Sequence, residues 1–201
     1  LIKQFADEIK KIKTGMVIFS DFRHGIFNSS SIDILRLSVK KNVLKIGDSQ
    51  IASRWGNILD FKDFDLITPN EKEARFALAD QDTAIRPLAS KLYKKANCKS
   101  LILTLGQRGV LTLRKPKTSN DTRAFFSIDS FADNVLDPVG CGDSFLAYSS
   151  LAYKITKNDV VSSILGIFAS SLEAEINGNI AISYSNVIKK VQEIEKKFKF
   201  I

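Results

Sequence analysis

Short apolar runs alternate with longer amphipathic segments along the first half of this chain. Runs of mostly apolar residues, four or five long, predict strands at 16–19, 43–46, 64–68 and 101–105. The amphipathic segments predict helices at 1–13, from a cap at Ser30 or Ser31 to about Lys40, and around 71–78 and 83–96. This alternation is typical of a mostly parallel sheet covered on both faces, so we expect an α/β fold.

The pattern changes in the second half of the chain. Two closely spaced apolar runs, 110–113 and 125–128, predict antiparallel strands around a polar loop at 115–122. From Cys141 onward the periodicity predicts helices near 142–153, 157–174 and 184–198, with a turn at 177–179. No linker interrupts the chain, which predicts a single domain over residues 1–201. Because the first residues already have the pattern of a helix interior and no Met precedes them, we expect that an N-terminal part of the natural protein is absent.

Composition narrows the class of protein. The sequence has 44% hydrophobic and 26% charged residues, which is ordinary for a globular protein, and no apolar run is long enough to span a membrane. Its net charge of +8 comes mainly from lysines dispersed along helical segments. Dispersed lysines favour a solvated surface that attracts small anionic substrates over a nucleic-acid interface. The two cysteines have no paired spacing, so we expect a reducing cytoplasm.

The segment 137–143, with the sequence DPVGCGD, has the pattern of an anion-binding turn at the start of a helix. Gly140 and Gly142 allow successive backbone N–H groups to converge on one point. The first N–H groups of a helix lack internal partners and lie at the positive end of its dipole. Asp143 would then either stabilise the helix start or accept a proton from an attacking hydroxyl.

Two further motifs also allow two interpretations each. Asn70 followed by Glu73 fits a helix-capping arrangement, or a site that organises a metal and a phosphate. Thr104, Gly106 and Gly109 fit a tight turn between strands, or a loop whose backbone passes close to a nucleotide. Either motif taken alone favours the structural interpretation.

The three motifs together, in this order, resemble the ribokinase-type carbohydrate kinases, the phosphofructokinase-B family. They are similar to that family's patterns D-T-x-G-A-G-D, N-x-x-E and T-x-G-x-x-G, and the resemblance covers about residues 15–193, the family's C-terminal nucleotide-binding part. It implies a ribokinase-like three-layer αβα sandwich with a mostly parallel central sheet and an antiparallel edge. Pro138 and Cys141 depart from the first pattern, which has Thr and Ala there.

The resemblance implies an ATP-dependent sugar kinase that uses Mg²⁺. Asp143 would be the general base, and the backbone of Gly140, Cys141 and Gly142 would form the anion hole. The nucleotide-binding residues would be Thr104, Gly106, Gly109, Asn70 and Glu73.

The resemblance also implies where metal ions bind. Glu73 would act on Mg²⁺ through water. The backbone carbonyls near Asp137 and Val139, with the loop 177–179, would bind a monovalent cation such as K⁺. Because family members often pair through a lid, the resemblance also implies a homodimer.

A narrower similarity concerns the substrate. The segment 20–25, with the sequence SDFRHG, looks like the S-D-Y-x-K-G segment of bacterial heptose-phosphate kinases, with His24 in place of Lys. This implies that Asp21 binds the substrate and that a heptose phosphate is the leading guess among sugars and sugar phosphates.

Two other hypotheses compete with a sugar kinase. One is a non-catalytic nucleotide-binding module, or a truncated and inactive kinase fragment. The other is a cysteine-dependent hydrolase that uses Cys141 and His24, since a helix start can lower the pKa of a thiol.

Overall fold

The computed structural model describes residues 1–50, 57–115, 124–178 and 180–198. The chain divides into two compact units. The first unit comprises Leu1–Leu105 and Leu111–Ser127, and the second comprises Gly106–Val110 and Ile128–Ile201. The single domain expected over residues 1–201 stays a prediction.

Helices and strands alternate along the first unit. Its helices are α1 (Ile2–Lys11), α2 (Ser29–Ser38), α3 (Glu71–Leu78) and α4 (Ile85–Ala96), with a short 3₁₀ helix at Ile58–Asp60. Its strands are β1 (Met16–Asp21), β2 (Leu44–Ser49), β3 (Leu66–Ile67) and β4 (Ser100–Thr104), followed by β5 (Val110–Arg114) and β6 (Phe125–Ile128). This order confirms the α/β alternation predicted from the sequence.

The six strands form one sheet in the order β1-β2-β3-β4-β5-β6. The first four are parallel, with Ile18 opposite Ile46, Ile46 opposite Leu66, and Leu66 opposite Ser100. The last two form the antiparallel edge, where the Arg114 N–H donates to the Ala124 carbonyl across 3.0 Å. Most of the loop predicted at 115–122 lies outside the described residues.

Aromatic rings fill the core of the first unit. Phe61 and Phe64 are fully buried, and their rings meet edge to face with centroids 5.3 Å apart. Phe19 from β1 packs against both rings. An added Cβ at Gly47 would lie 2.9 Å from the Phe61 side chain, so only glycine at this position of β2 allows the ring to pack so closely.

The second unit is mainly helical. Its helices are α5 (Cys141–Thr156), α6 (Asp159–Ala174) and α7 (Tyr184–Phe198). The helices α5 and α6 pack closely because small residues line their contact: a Cβ at Gly166 would lie 2.7 Å from the Phe145 ring, and the Ser162 hydroxyl donates to the Ser149 carbonyl at 2.7 Å. A separate apolar cluster around Phe168 and Val187 joins α6 to α7. None of the helices in the described part of the chain is long and apolar enough to cross a membrane.

Two helix starts differ from the prediction. The cap of α2 is Asn28, so the prediction of Ser30 or Ser31 was wrong: the Asn28 side chain accepts from the Ser31 N–H, and the Ser31 hydroxyl accepts from the Asn28 N–H. The start predicted at 157 was also early, since Asn158 caps α6. The Asn158 side chain accepts from the Val160 and Val161 N–H groups at 2.9 and 3.4 Å, as expected of a preferred N-cap residue.

We expect Leu35→Ala and Leu37→Ala to differ strongly in stability. Both residues lie on α2, but Leu35 is 4% exposed in the core and Leu37 is 75% exposed. Leu35→Ala leaves a cavity and should lower the free energy of unfolding by about 2–5 kcal/mol. Leu37→Ala should change it by no more than about 0.5 kcal/mol. Urea titration of both variants measures this, and similar losses would contradict the burial of Leu35.

Candidate active site

The carboxyl ends of β3 and β4 bring two of the predicted site residues together in the first unit. Asn70 pairs with Thr104 as an isolated parallel bridge, and the Thr104 N–H donates to the Pro69 carbonyl at 2.9 Å. In open parallel sheets, ligands bind outside the carboxyl ends of the strands. Asn70 and Thr104 therefore lie where such a fold places a ligand.

Glu73 and Asn70 form a complete capping box at the start of α3. The Asn70 side chain accepts from the Glu73 N–H at 2.9 Å. In return, Glu73 accepts from the Asn70 N–H at 2.8 Å and from the Asn70 amide Nδ2 at 2.6 Å. Both carboxylate oxygens of the buried Glu73 are thus engaged, and the capping interpretation is confirmed.

Asp21 is also fixed by its neighbours. It ends β1, is only 2% exposed, and its carboxylate accepts from the Arg23 backbone N–H at 2.8 Å and pairs with the Arg23 guanidinium. A second carboxylate at the same strand ends had no role assigned from the sequence: Asp48 accepts from the Thr68 hydroxyl at 3.0 Å. Its position directly after Gly47 at the end of a predicted strand is the sequence feature that could have indicated it.

The glycine turn after β4 belongs to the second unit. A short 3₁₀ helix spans Gly106–Arg108, and the Gly109 N–H closes it by donating to the Gly106 carbonyl at 2.9 Å. Both glycines have positive φ, +61° and +76°, which other residues adopt only with strain. An added Cβ at Gly109 would lie 2.0 Å from the Ile128 carbonyl oxygen, so this position has no room for a side chain.

The turn 137–143 leads directly into α5, as predicted. Gly140 precedes the helix with φ 85° and ψ −16° and offers no side chain to cap it, while the Cys141 N–H donates to the Pro138 carbonyl at 3.4 Å. Around Gly142 the space is open, since an added Cβ would meet nothing within 4 Å. The start of α5 therefore presents backbone donors to an accessible space, which is the arrangement that binds an anion.

Asp143 lies in the first turn of α5, and its pKa is raised. The larger cause is partial burial, which removes water from the carboxylate, and the smaller is the negative charge of Glu173 on α6. A carboxylate with a raised pKa is a stronger base. The raised pKa of Asp143 therefore favours acceptance of a proton.

Asp137 connects the turn to the loop after α6. Its carboxylate accepts from the Val139 N–H at 2.9 Å and from the Gly178 N–H at 3.3 Å. The segments expected to bind a monovalent cation thus lie next to each other, although position 179 lies outside the described residues. Among those residues, no group of three or more His, Cys, Asp or Glu side chains could hold a metal ion.

The hypothesis of a cysteine-dependent hydrolase is wrong in its central premise. The pKa of the Cys141 thiol is raised to about 11. Burial is the main cause, and the negative charges of Glu173 and Asp137 add to it. With its pKa raised, the thiol stays protonated at neutral pH and is a poor nucleophile.

Sequence reasoning missed Glu173. It is 1% exposed, yet it lies in an otherwise apolar and small-residue stretch at the end of α6. A single acid within such a stretch was the available signal, since buried carboxylates are uncommon unless they are hydrogen-bonded.

Comparison with known proteins identifies the family. The sequence model of the pfkB family of carbohydrate kinases matches residues 47–163, more than half of the chain. The chain therefore belongs to the pfkB family of carbohydrate kinases. It is 26% identical over 146 residues to the bifunctional protein HldE of Granulibacter bethesdensis, covering 69% of this chain and 29% of that protein. It is 28% identical over 124 residues to ribokinase of Haemophilus influenzae, covering 58% of this chain and 36% of that protein. The chain thus spans about a third of the length of these relatives.

Solved structures show the same fold. Phosphofructokinase-2 of Escherichia coli, in complex with potassium, superposes with a TM-score of 0.74 at 18% identity, covering 94% of this chain and 60% of that one. Arabidopsis thaliana ribokinase, complexed with ribose and ATP, has a TM-score of 0.72 at 20% identity, covering 92% of this chain and 58% of that one. The ribokinase-like fold expected from the three motifs is confirmed.

We expect Gly109→Ala to be more damaging than Gly106→Ala. Both changes force alanine into positive φ, but only Gly109 lacks room, because its Cβ would overlap the Ile128 carbonyl. Gly106→Ala should cost about 1–2 kcal/mol of stability, and Gly109→Ala about 1–3 kcal/mol more. Urea unfolding of the two variants tests this, and equal costs would contradict the tight turn.

The raised pKa of Cys141 predicts slow alkylation. Because the thiol is neutral near pH 7, its rate of reaction with iodoacetamide should rise about tenfold per pH unit between about pH 7 and pH 9, without a plateau. Mass spectrometry of the peptide that contains Cys141 follows the reaction. A plateau below about pH 8 would show that the thiol has a low pKa after all.

Proposed function

We propose that this chain catalyses ATP-dependent transfer of the γ-phosphoryl group to a hydroxyl of a sugar or sugar phosphate. The observation that carries the proposal is the start of α5: an uncapped helix N-terminus, open space at Gly142, and Asp143 with a raised pKa in its first turn. Membership of a carbohydrate kinase family supports it.

In the proposed reaction, an Asp143 carboxylate oxygen takes the proton of the acceptor hydroxyl. The hydroxyl oxygen then forms a bond to the γ-phosphorus while the bond from that phosphorus to the β,γ-bridging oxygen breaks, and ADP leaves. The backbone N–H groups of Gly140, Cys141 and Gly142 would stabilise the negative charge on the transferred group, with the helix dipole acting in the same direction. No covalent intermediate with the protein is required, because positioning and electrostatics supply the catalysis.

The nucleotide would contact Thr104, Gly106 and Gly109, and the glycines would let the backbone pass close to it. Asn70 and Glu73 would organise Mg²⁺ in the phosphate region. Oxygen ligands are those that Mg²⁺ prefers, and Mg²⁺ usually keeps several waters, so the contact would pass through water, as the family resemblance implies. Bound Mg²⁺ would neutralise phosphate charge.

A monovalent cation would bind at the backbone carbonyls of Asp137 and Val139. The hydrogen bond from the Gly178 N–H to the Asp137 carboxylate supports this, because it holds the loop after α6 against the turn. The potassium complex of phosphofructokinase-2 of Escherichia coli also supports it.

Two structural neighbours support this acceptor class, since Arabidopsis thaliana ribokinase was solved with ribose and ATP and phosphofructokinase-2 of Escherichia coli with fructose-6-phosphate. The resemblance of the segment 20–25 to heptose-phosphate kinases supports a heptose phosphate. Since Asp21 is buried and paired with Arg23, it would act on the substrate through a fixed Asp21–Arg23 pair. The homodimer and the cytoplasmic location stay predictions.

Calorimetry with ATP and Mg²⁺, followed by a phosphotransfer screen against sugars and sugar phosphates, tests the function. The screen should use this chain and any longer natural protein that contains it. Transfer to a sugar supports the proposal. ATP binding without transfer to any acceptor would favour the non-catalytic nucleotide-binding module.

We expect Asp143→Asn to lower kcat by about 10²–10⁴-fold, because the amide cannot accept the proton, while the affinity for ATP changes little. Steady-state kinetics and ATP calorimetry on the same preparation separate these two effects. Asp133→Asn is the matched control, since it is the same substitution at an exposed position of the same unit. Full activity in Asp143→Asn would refute the assignment of the base.

A further inference from the structure

Glu173 is a buried carboxylate that contacts two segments around the start of α5. One oxygen, Oε2, accepts from the Ser144 hydroxyl at 3.1 Å, and the other, Oε1, accepts from the Ile180 N–H at 3.2 Å. Ser144 directly follows Asp143, and Ile180 follows the loop after α6. A single side chain on α6 therefore connects the first turn of α5 to that loop.

The next residue on α6 holds the other side of the same turn. The Ala174 carbonyl accepts from the Leu136 N–H at 2.7 Å and from the Asp137 N–H at 3.2 Å. The chain is thus attached to the end of α6 both before the turn, at Leu136 and Asp137, and after it, at Ser144. Because α5 and α6 are closely packed through Gly166 and Phe145, these contacts hold the turn rigidly against α6.

A purely structural role explains Glu173 poorly. Burying a carboxylate costs free energy that two hydrogen bonds from neutral donors only partly offset, and an apolar side chain would fill the same space without that cost. The contacts of Glu173 lie next to the proposed base.

We propose that Glu173 is a positioning residue, which fixes Ser144 and the Ile180 loop so that Asp143 is held at the start of α5 for proton transfer. This inference rests on the proposed function and names a residue that acts through Ser144 and does not touch the substrate.

The charge of Glu173 adds a second effect on the same group. Its negative charge raises the pKa of Asp143, in addition to the larger effect of burial. Other charged or titratable groups on the surrounding elements include Asp137 in the turn, Cys141 and Tyr148 on α5, Glu175 on α6, and Lys190 on α7, which pairs with Glu175 at 3.3 Å. Removing the charge of Glu173 should therefore lower the pKa of Asp143 and move the acid limb of the pH profile to lower pH.

Three variants separate geometry from charge. Glu173→Gln removes the charge and keeps an acceptor oxygen at nearly the same place. Ser144→Ala keeps the charge and removes one hydrogen bond, and Glu173→Ala removes both contacts. Glu193→Gln, the same chemical change at an exposed position of α7, is the matched control and should behave as the unchanged protein.

We expect Glu173→Gln to shift the acid limb of kcat/KM to lower pH, and Ser144→Ala to leave that limb in place while lowering kcat. Glu173→Ala should lower kcat by roughly 10–100-fold with little change in the KM for ATP, because the base is misplaced while the nucleotide contacts remain. Thermal unfolding of each variant shows whether the loss of rate exceeds any loss of folded protein.

A carbon-13 NMR titration of the Asp143 carboxyl supplies a readout that needs no activity. A lower pKa of Asp143 in Glu173→Gln, with no change in Glu193→Gln, supports the inference. An unchanged pKa together with an unchanged pH profile and kcat would overturn it. If the pKa falls but no variant and no unchanged protein transfers phosphate to any acceptor, the proposed function fails, and the coupling between Glu173 and Asp143 still stands.

Discussion

The start of α5 is the constraint on which the second unit depends. Helices α2, α3 and α6 begin with an asparagine whose side chain satisfies the free amides, at Asn28, Asn70 and Asn158. Helix α5 instead follows Gly140, which has positive φ and no side chain. Because Gly140 offers no side-chain cap, the turn is held by other contacts, and the end of α6 supplies them at Leu136, Asp137 and Ser144.

The first unit holds polar side chains at the carboxyl ends of its parallel strands. The buried rings of Phe61 and Phe64 fill the core, and Gly47 lets β2 pack directly against Phe61. With the strands fixed, the residues at their ends have little freedom. Asp21, Asp48 and Glu73 each form specific hydrogen bonds there, to Arg23, Thr68 and Asn70.

Much of the fold was predictable because hydrophobic periodicity reflects burial. The strands 16–19, 43–46 and 101–105 were found near their observed places, and so were the last three helices. The helix starts were less predictable, since Asn28 and Ser30 are both good caps and only the chain entering α2 decides between them. Glu73 illustrates the same difficulty at the site: its spacing from Asn70 fits both a cap and a metal site, and the observed hydrogen bonds confirm the cap.

The sequence by itself determined the order of elements, the family motifs and the identity of Asp143 as the candidate base, because these depend on residue types at short spacing. The tertiary structure decided the electrostatics of that base. Glu173 reaches Ser144 across 29 residues only because α5 and α6 pack closely, and burial of Cys141 reverses the pKa shift that its helix position suggests. Desolvation and charge act through space, and the pattern of residues along a chain does not record those distances.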